Sequence, residues 1–201
     1  MLLLALFQFS SPLLAQEASA VSQSLADFPP PEKDKAQIIF FKPMLSKTGK
    51  LHVHLFEIEE AGPKLIGVLW WKSRAIVNVA PGKHMFMSTT AYGFSHFLNA
   101  DLEPGKRYFV LARYMYVGGF QLRPIKLNGP ADFTPENSGY KSLVAGTTES
   151  KLTPEIEASY RGNKRSQKTV AKYQAESWEK WLAKTPEQRA ELTLNKEDFL
   201  D

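Results

Sequence analysis

The chain has 201 residues, a formal charge of +4 and no cysteine. That length buries a core without staples, and the missing thiols exclude a disulfide scaffold, a thiolate zinc site, a cysteine nucleophile and lipid attachment at cysteine. Lys plus Arg at 25 against Asp plus Glu at 21 is too even a balance for a nucleic-acid-binding protein.

Residues 1–14 (MLLLALFQFSSPLL) are mostly apolar, and Ala18-Ser19-Ala20 follows as a small-x-small cleavage site. This is the pattern of a secretory signal peptide over residues 1–20. The run is shorter than the roughly 20 apolar residues of a membrane-crossing helix, and Gln8, Ser10, Ser11 and Pro12 interrupt it. It departs from the pattern in carrying no Lys or Arg between Met1 and Leu14. The expectation is an exported protein, periplasmic in a Gram-negative envelope and not anchored through cysteine. Residues 21–35 read as a linker, in which Pro29-Pro30-Pro31 favours an extended spacer.

Residues 36–128 read as about eight short strands. They cover 36–42, 50–59, 64–71, 75–79, 83–89, 97–102, 107–116 and 120–127. In 50–59 (KLHVHLFEIE) the alternation puts Leu51, Val53 and Leu55 on one side and His52, His54 and Phe56 on the other. Gly62-Pro63, Pro81-Gly82, Pro104-Gly105 and Gly118-Gly119 punctuate the runs. Two of these turns are Pro-Gly-Lys, where proline fixes the first corner and glycine takes the positive φ of the second. No helix-length pattern interrupts the strands, so the prediction is an antiparallel β-sandwich rather than a parallel α/β sheet.

Residues 129–152 read as a long polar loop with Phe133, Tyr140, Leu143 and Val144 as apolar anchors. Residues 153–201 read as a helical tail. Thr153 caps a first helix with Pro154 at its first position, and Gly162-Asn163 breaks it. A second helix over 167–184 carries Val170, Tyr173, Ser177, Trp178, Trp181 and Leu182 as one stripe. Thr185 and Gln188 form a capping box for a third.

The segments Ala36-Gln37-Ile38-Ile39-Phe40-Phe41, Ile66-Gly67-Val68-Leu69, Val79-Ala80-Pro81-Gly82-Lys83-His84 and Leu102-Glu103-Pro104-Gly105-Lys106-Arg107-Tyr108-Phe109 together resemble a bacterial family of exported proteins, the domain of unknown function 2846 family. The resemblance covers about residues 36–127. It implies an immunoglobulin-like or prealbumin-like sandwich and an envelope location, and it brings no catalytic residues. Many members are lipoproteins, and this chain departs from them in lacking the acceptor cysteine.

Two candidate sites stand out. His52 and His54, two apart on a strand, point to one face and offer two imidazoles to a metal ion, with a third ligand from His84 or His96. Arg161, Lys164, Arg165, Lys168 and Lys172 form the one charge cluster, and Trp178 and Trp181 follow it; a basic helix over 161–182 with tryptophan suits an anionic membrane surface. Other constellations are weaker. Ser95 and His96 are neighbours but not a Gly-x-Ser-x-Gly elbow, and adjacent strand residues point apart. Glu57, Glu59 and Glu60 read as a solvated hairpin end. Trp70 and Trp71 read as one inward and one outward ring, and Tyr108, Phe109, Tyr114, Tyr116 and Phe120 line the last hairpin. No motif calls for a cofactor. The reading is therefore an exported, non-enzymatic interaction module whose partner is an envelope protein or a cell-wall component. Its alternatives are a metal-binding or hydrolytic protein using His52 and His54, and peripheral membrane attachment through the basic helix.

Overall fold

The structure is a computed structural model that describes residues 28–43, 51–90, 93–135 and 144–200. The chain divides after Pro30, and the architecture below is that of Pro31–Asp201. The leader read over 1–20 and the first part of the linker, 21–27, lie outside the described residues, as do Tyr140 and Leu143.

Eight strands carry the fold: β1 (Ala36–Lys42), β2 (Val53–Glu59), β3 (Gly62–Leu69), β4 (Ser73–Val79), β5 (Gly82–Thr89), β6 (Ser95–Leu102), β7 (Arg107–Met115) and β8 (Gly119–Pro124). Two short strands, β9 (Thr148–Glu149) and β10 (Thr193–Leu194), complete two five-stranded sheets among the described residues. The sheet orders are β8-β7-β1-β4-β9 and β10-β6-β5-β2-β3. The predicted β-sandwich of about eight principal strands is what the chain forms.

The sheets are mixed, where the turn signals predict antiparallel ones throughout. β1 pairs antiparallel with β4 but parallel with β7, because the chain leaves β1, builds most of the second sheet and returns along the other edge of β1. β1 is buried over its whole length, which is why it reads as a continuous apolar run rather than an alternating one. Between the sheets, alternate residues such as Phe40, Leu55, Phe86, Leu98 and Val110 form one core. The Phe40 and Phe86 rings meet edge-on with centroids 5.6 Å apart, an arrangement the ring quadrupole favours. The Pro-Gly turns behave as their chemistry requires, with Gly82 at φ +115° and Gly105 at φ +71°.

Three helices follow: α1 (Pro154–Gly162), α2 (Lys164–Leu182) and α3 (Pro186–Ala190). The Thr153 hydroxyl accepts from Ile156 N–H, and Asn163 ends α1 and caps α2. Thr185 and Gln188 close the capping box of α3. α2 buries Val170, Ser177 and Trp181. Val170 and Trp181 pack with Phe56, Leu65 and Phe97 on the outer side of the second sheet. Trp178 and Leu182, at the edge of the predicted stripe, stay partly exposed.

The predicted C-terminal helical extension is present, and it closes with a short strand. β10 adds to β6 in parallel, placing Leu194 in the sandwich core. The Tyr108 hydroxyl then donates to the Lys196 carbonyl at 3.0 Å, so the last residues stitch the helices back onto the sandwich.

Candidate functional site: an aromatic, cationic pole

Strand alternation gathers the ends of β1, β3, β5 and β7 and the starts of β2, β4, β6 and β8 at one pole of the sandwich. The register shows it: Lys42 pairs with Ser73, Val53 with Leu69, Thr89 with Ser95 and Met115 with Gly119. Among the described residues, eight large hydrophobic side chains are exposed. Five of them sit on the connections of this pole: Trp70, Trp71 (56 % exposed), Phe94, Tyr116 (93 %) and Val117. The segments meeting there, 51–54, 69–74, 93–96 and 113–121, hold Lys72, Arg74 and Arg113 but no Asp or Glu; β9, beside the start of β4, places Glu149 opposite Arg74. The opposite pole carries the Pro-Gly turns together with Glu57, Glu59, Glu60, Asp101 and Glu103. One end is aromatic and cationic, the other polar with many carboxylates.

The sequence places Trp70 and Trp71 in a strand with one ring inward. Both rings are exposed instead, because β3 stops at Leu69. Ser73 Oγ takes the Trp70 N–H at 2.7 Å, and Lys72 turns the chain at φ +51°. This turn lacks the glycine or proline that marks the others.

Beneath the exposed rings lies Lys42, fully buried at the end of β1. Its ammonium donates to the Trp70 carbonyl at 3.4 Å and stands 5.2 Å from the centre of the Phe120 ring. Burial pushes its pKa down, since a low-dielectric surrounding disfavours the charged form. The His52 ring meets the Trp70 ring at 3.9 Å between centroids. Burial and then the Lys42 charge hold His52 below the ordinary imidazole range.

His54 lies across β2 from the core, as its alternation predicts, in a groove of about 290 Å³ between the second sheet and α2. Arg165, Tyr160 and Thr90 line the same groove, so one histidine and one arginine singled out from sequence are brought together. Burial, followed by His52, lowers the His54 pKa. The third ligand expected for a metal is not with them. His84 is at the opposite pole, with Nδ1 2.6 Å from Glu57 Oε1 and Nε2 2.8 Å from the Ala80 carbonyl. His96 Nε2 lies 2.6 Å from the Gly118 carbonyl and therefore donates to it. Among the described residues no three His, Asp or Glu side chains stand together as a metal site.

Ser95 and His96 do point apart. His96 reaches to the β7–β8 turn, while Ser95 shares the side of Phe97, which packs under α2. Of the basic cluster, Arg161 pairs with Glu157, and Lys172 lies 3.6 Å from Glu176. Lys164, Arg165 and Lys168 are exposed and have no carboxylate partner among the described residues. At 3.6 residues per turn, Lys164, Lys168 and Lys172 fall on the side of α2 away from Val170, Ser177 and Trp181, while Arg165 also borders the groove that holds His54.

No family model matches this sequence, and no curated protein matches it.

Proposed function

We propose that the chain is an exported, non-catalytic binding module of the bacterial cell envelope that docks an acidic partner protein on the aromatic pole. The observation that carries this is the concentration of exposed large side chains on connections that hold cations and no carboxylate. Tyrosine and tryptophan on loops at the end of a β-sandwich give large, rigid contact area at low entropic cost. Such rings, with arginine, dominate binding energy where they are buried by a partner. Charge complementarity selects an acidic surface. The apolar leader and the family resemblance support the envelope location, and the divergence of Ser95 from His96 supports a role without hydrolysis.

A photo-crosslinking residue placed at Tyr116 in intact cells tests this. A discrete adduct with one acidic envelope protein, lost on Lys72→Glu and absent when the probe is moved to Lys83 at the opposite pole, is the expected result. Adducts only with lipid or cell-wall glycan, or adducts indifferent to Lys72→Glu, overturn it.

A second reading, peripheral membrane contact, is favoured by the cationic side of α2. Deleting the tail is not a clean test, since it removes β10 and Leu194 from the core. Flotation with anionic liposomes, comparing the chain with Lys164→Glu/Arg165→Glu/Lys168→Glu, is. Binding lost in the variant and absent with neutral liposomes supports membrane contact; no flotation retires it.

A further inference from the structure

A cavity of about 270 Å³ lies between the start of β6, the β7–β8 turn and the C-terminal half of α2. Its walls include Phe94, Phe97, Val117, Trp181 and Leu192, and its mouth carries Lys180 and Lys184. No acidic residue lines it. Neither lysine has a carboxylate partner among the described residues.

Two further observations show that the cavity is more than a gap beside a lysine-rich helix end. Its floor is aromatic, with the buried Trp181 ring 6.1 Å from that of Phe97 between centroids. The lysines also project their field inward: after burial, Lys184 and Lys180 lower the pKa of His96, against the raising effect of its bond to Gly118. Lysine in a last helical turn ordinarily complements the helix dipole. Lys180 does so, but Lys184 lies beyond the helix end, and dipole compensation does not account for its place beside the cavity.

We propose that this cavity binds a small organic carboxylate with an apolar body. The ammonium groups of Lys180 and Lys184 take the carboxylate, and the rings of Phe97 and Trp181 cover the hydrocarbon. The volume is just below the ~300 Å³ at which small-molecule sites begin, so the ligand is compact. A few placed polar groups in an otherwise apolar, aromatic wall is the usual composition of such a site. The cavity shares Phe94 and Val117 with the pole, but the binding of a small carboxylate is tested without any docked protein and stands or falls by itself.

Calorimetric titration of the full chain with octanoate, octanol and acetate tests the proposal. Octanoate binding at least tenfold tighter than both controls is expected, because only octanoate has both halves. Lys180→Ala/Lys184→Ala weakens octanoate tenfold or more and leaves octanol unchanged. Octanol binding as tightly as octanoate, acetate binding as tightly as octanoate, or no heat at millimolar octanoate each overturns the proposal. The comparison of the three probes needs no variant and so does not depend on how any variant folds.

Discussion

The Lys42 ammonium lies 3.4 Å from the carbonyl of Trp70, and the residue is fully buried. A lysine thus closes the underside of the pole whose upper side is two exposed tryptophans. A buried cation supported by one carbonyl and one ring is costly to desolvate. Lys42→Met keeps the stem and removes the charge. The expected outcome in urea titration is a stability unchanged or raised by about 1–2 kcal/mol. A loss above about 2 kcal/mol would show that the ammonium is a strut rather than a burden.

The histidines set an acid limit. His54 and His96 are both held below the ordinary imidazole range, in each case first by burial. The unfolded chain therefore binds more protons than the folded one just below about pH 6.5, the unperturbed value. Unfolding free energy is full above that pH and falls as the pH drops toward the lowered native values. His96→Gln retains a donor for Gly118 and does not titrate. The slope of stability against pH between about 7 and 5.5 is predicted to be shallower in the variant; an unchanged slope would contradict the assignment.

Gly93 lets the β5–β6 connection approach α2 closely. Gly93 has φ +86°, and a Cβ there would stand 2.9 Å from the Tyr173 ring. Gly93→Ala meets both a left-handed backbone penalty of about 1–2 kcal/mol and that contact. It is expected to destabilise by more than 1 kcal/mol and to increase amide exchange in α2. A wild-type exchange pattern would show that Tyr173 simply steps aside.

Trp181 tests the same layer from the helix side. It is buried, with its ring centroid 6.1 Å from that of Phe97. Trp181→Ala is expected to cost about 3–5 kcal/mol in chemical denaturation. A cost under 1 kcal/mol would mean that α2 contributes little to the folded state.

Local chemistry made much of the fold readable. Gly82 and Gly105 follow proline where a positive φ is needed, and Thr153, Asn163 and Thr185 mark helix ends by rules that span four residues. Features that depend on distant partners were not readable. The parallel pairing of β1 with β7 is set by the route of the intervening strands, and β10 is too short to leave a pattern. His84 gave no sign of Glu57, which is on another strand. Lys42 reads as the polar end of an apolar strand, and its burial beside the Phe120 ring and the Trp70 carbonyl comes from distant segments. The pole itself is a product of topology: Trp70, Phe94 and Tyr116 are far apart in the chain, and each alone is an ordinary surface aromatic.

On the proposed function, the aromatic pole is the surface this protein presents to its partner. Amide hydrogen exchange of the chain, alone and bound to the protein captured from Tyr116, reads that surface without a variant. Protection confined to 69–74, 93–96 and 113–121 is the predicted result. Protection at 57–64, 80–84 or 100–107 instead, or along the outer side of α2, would contradict it.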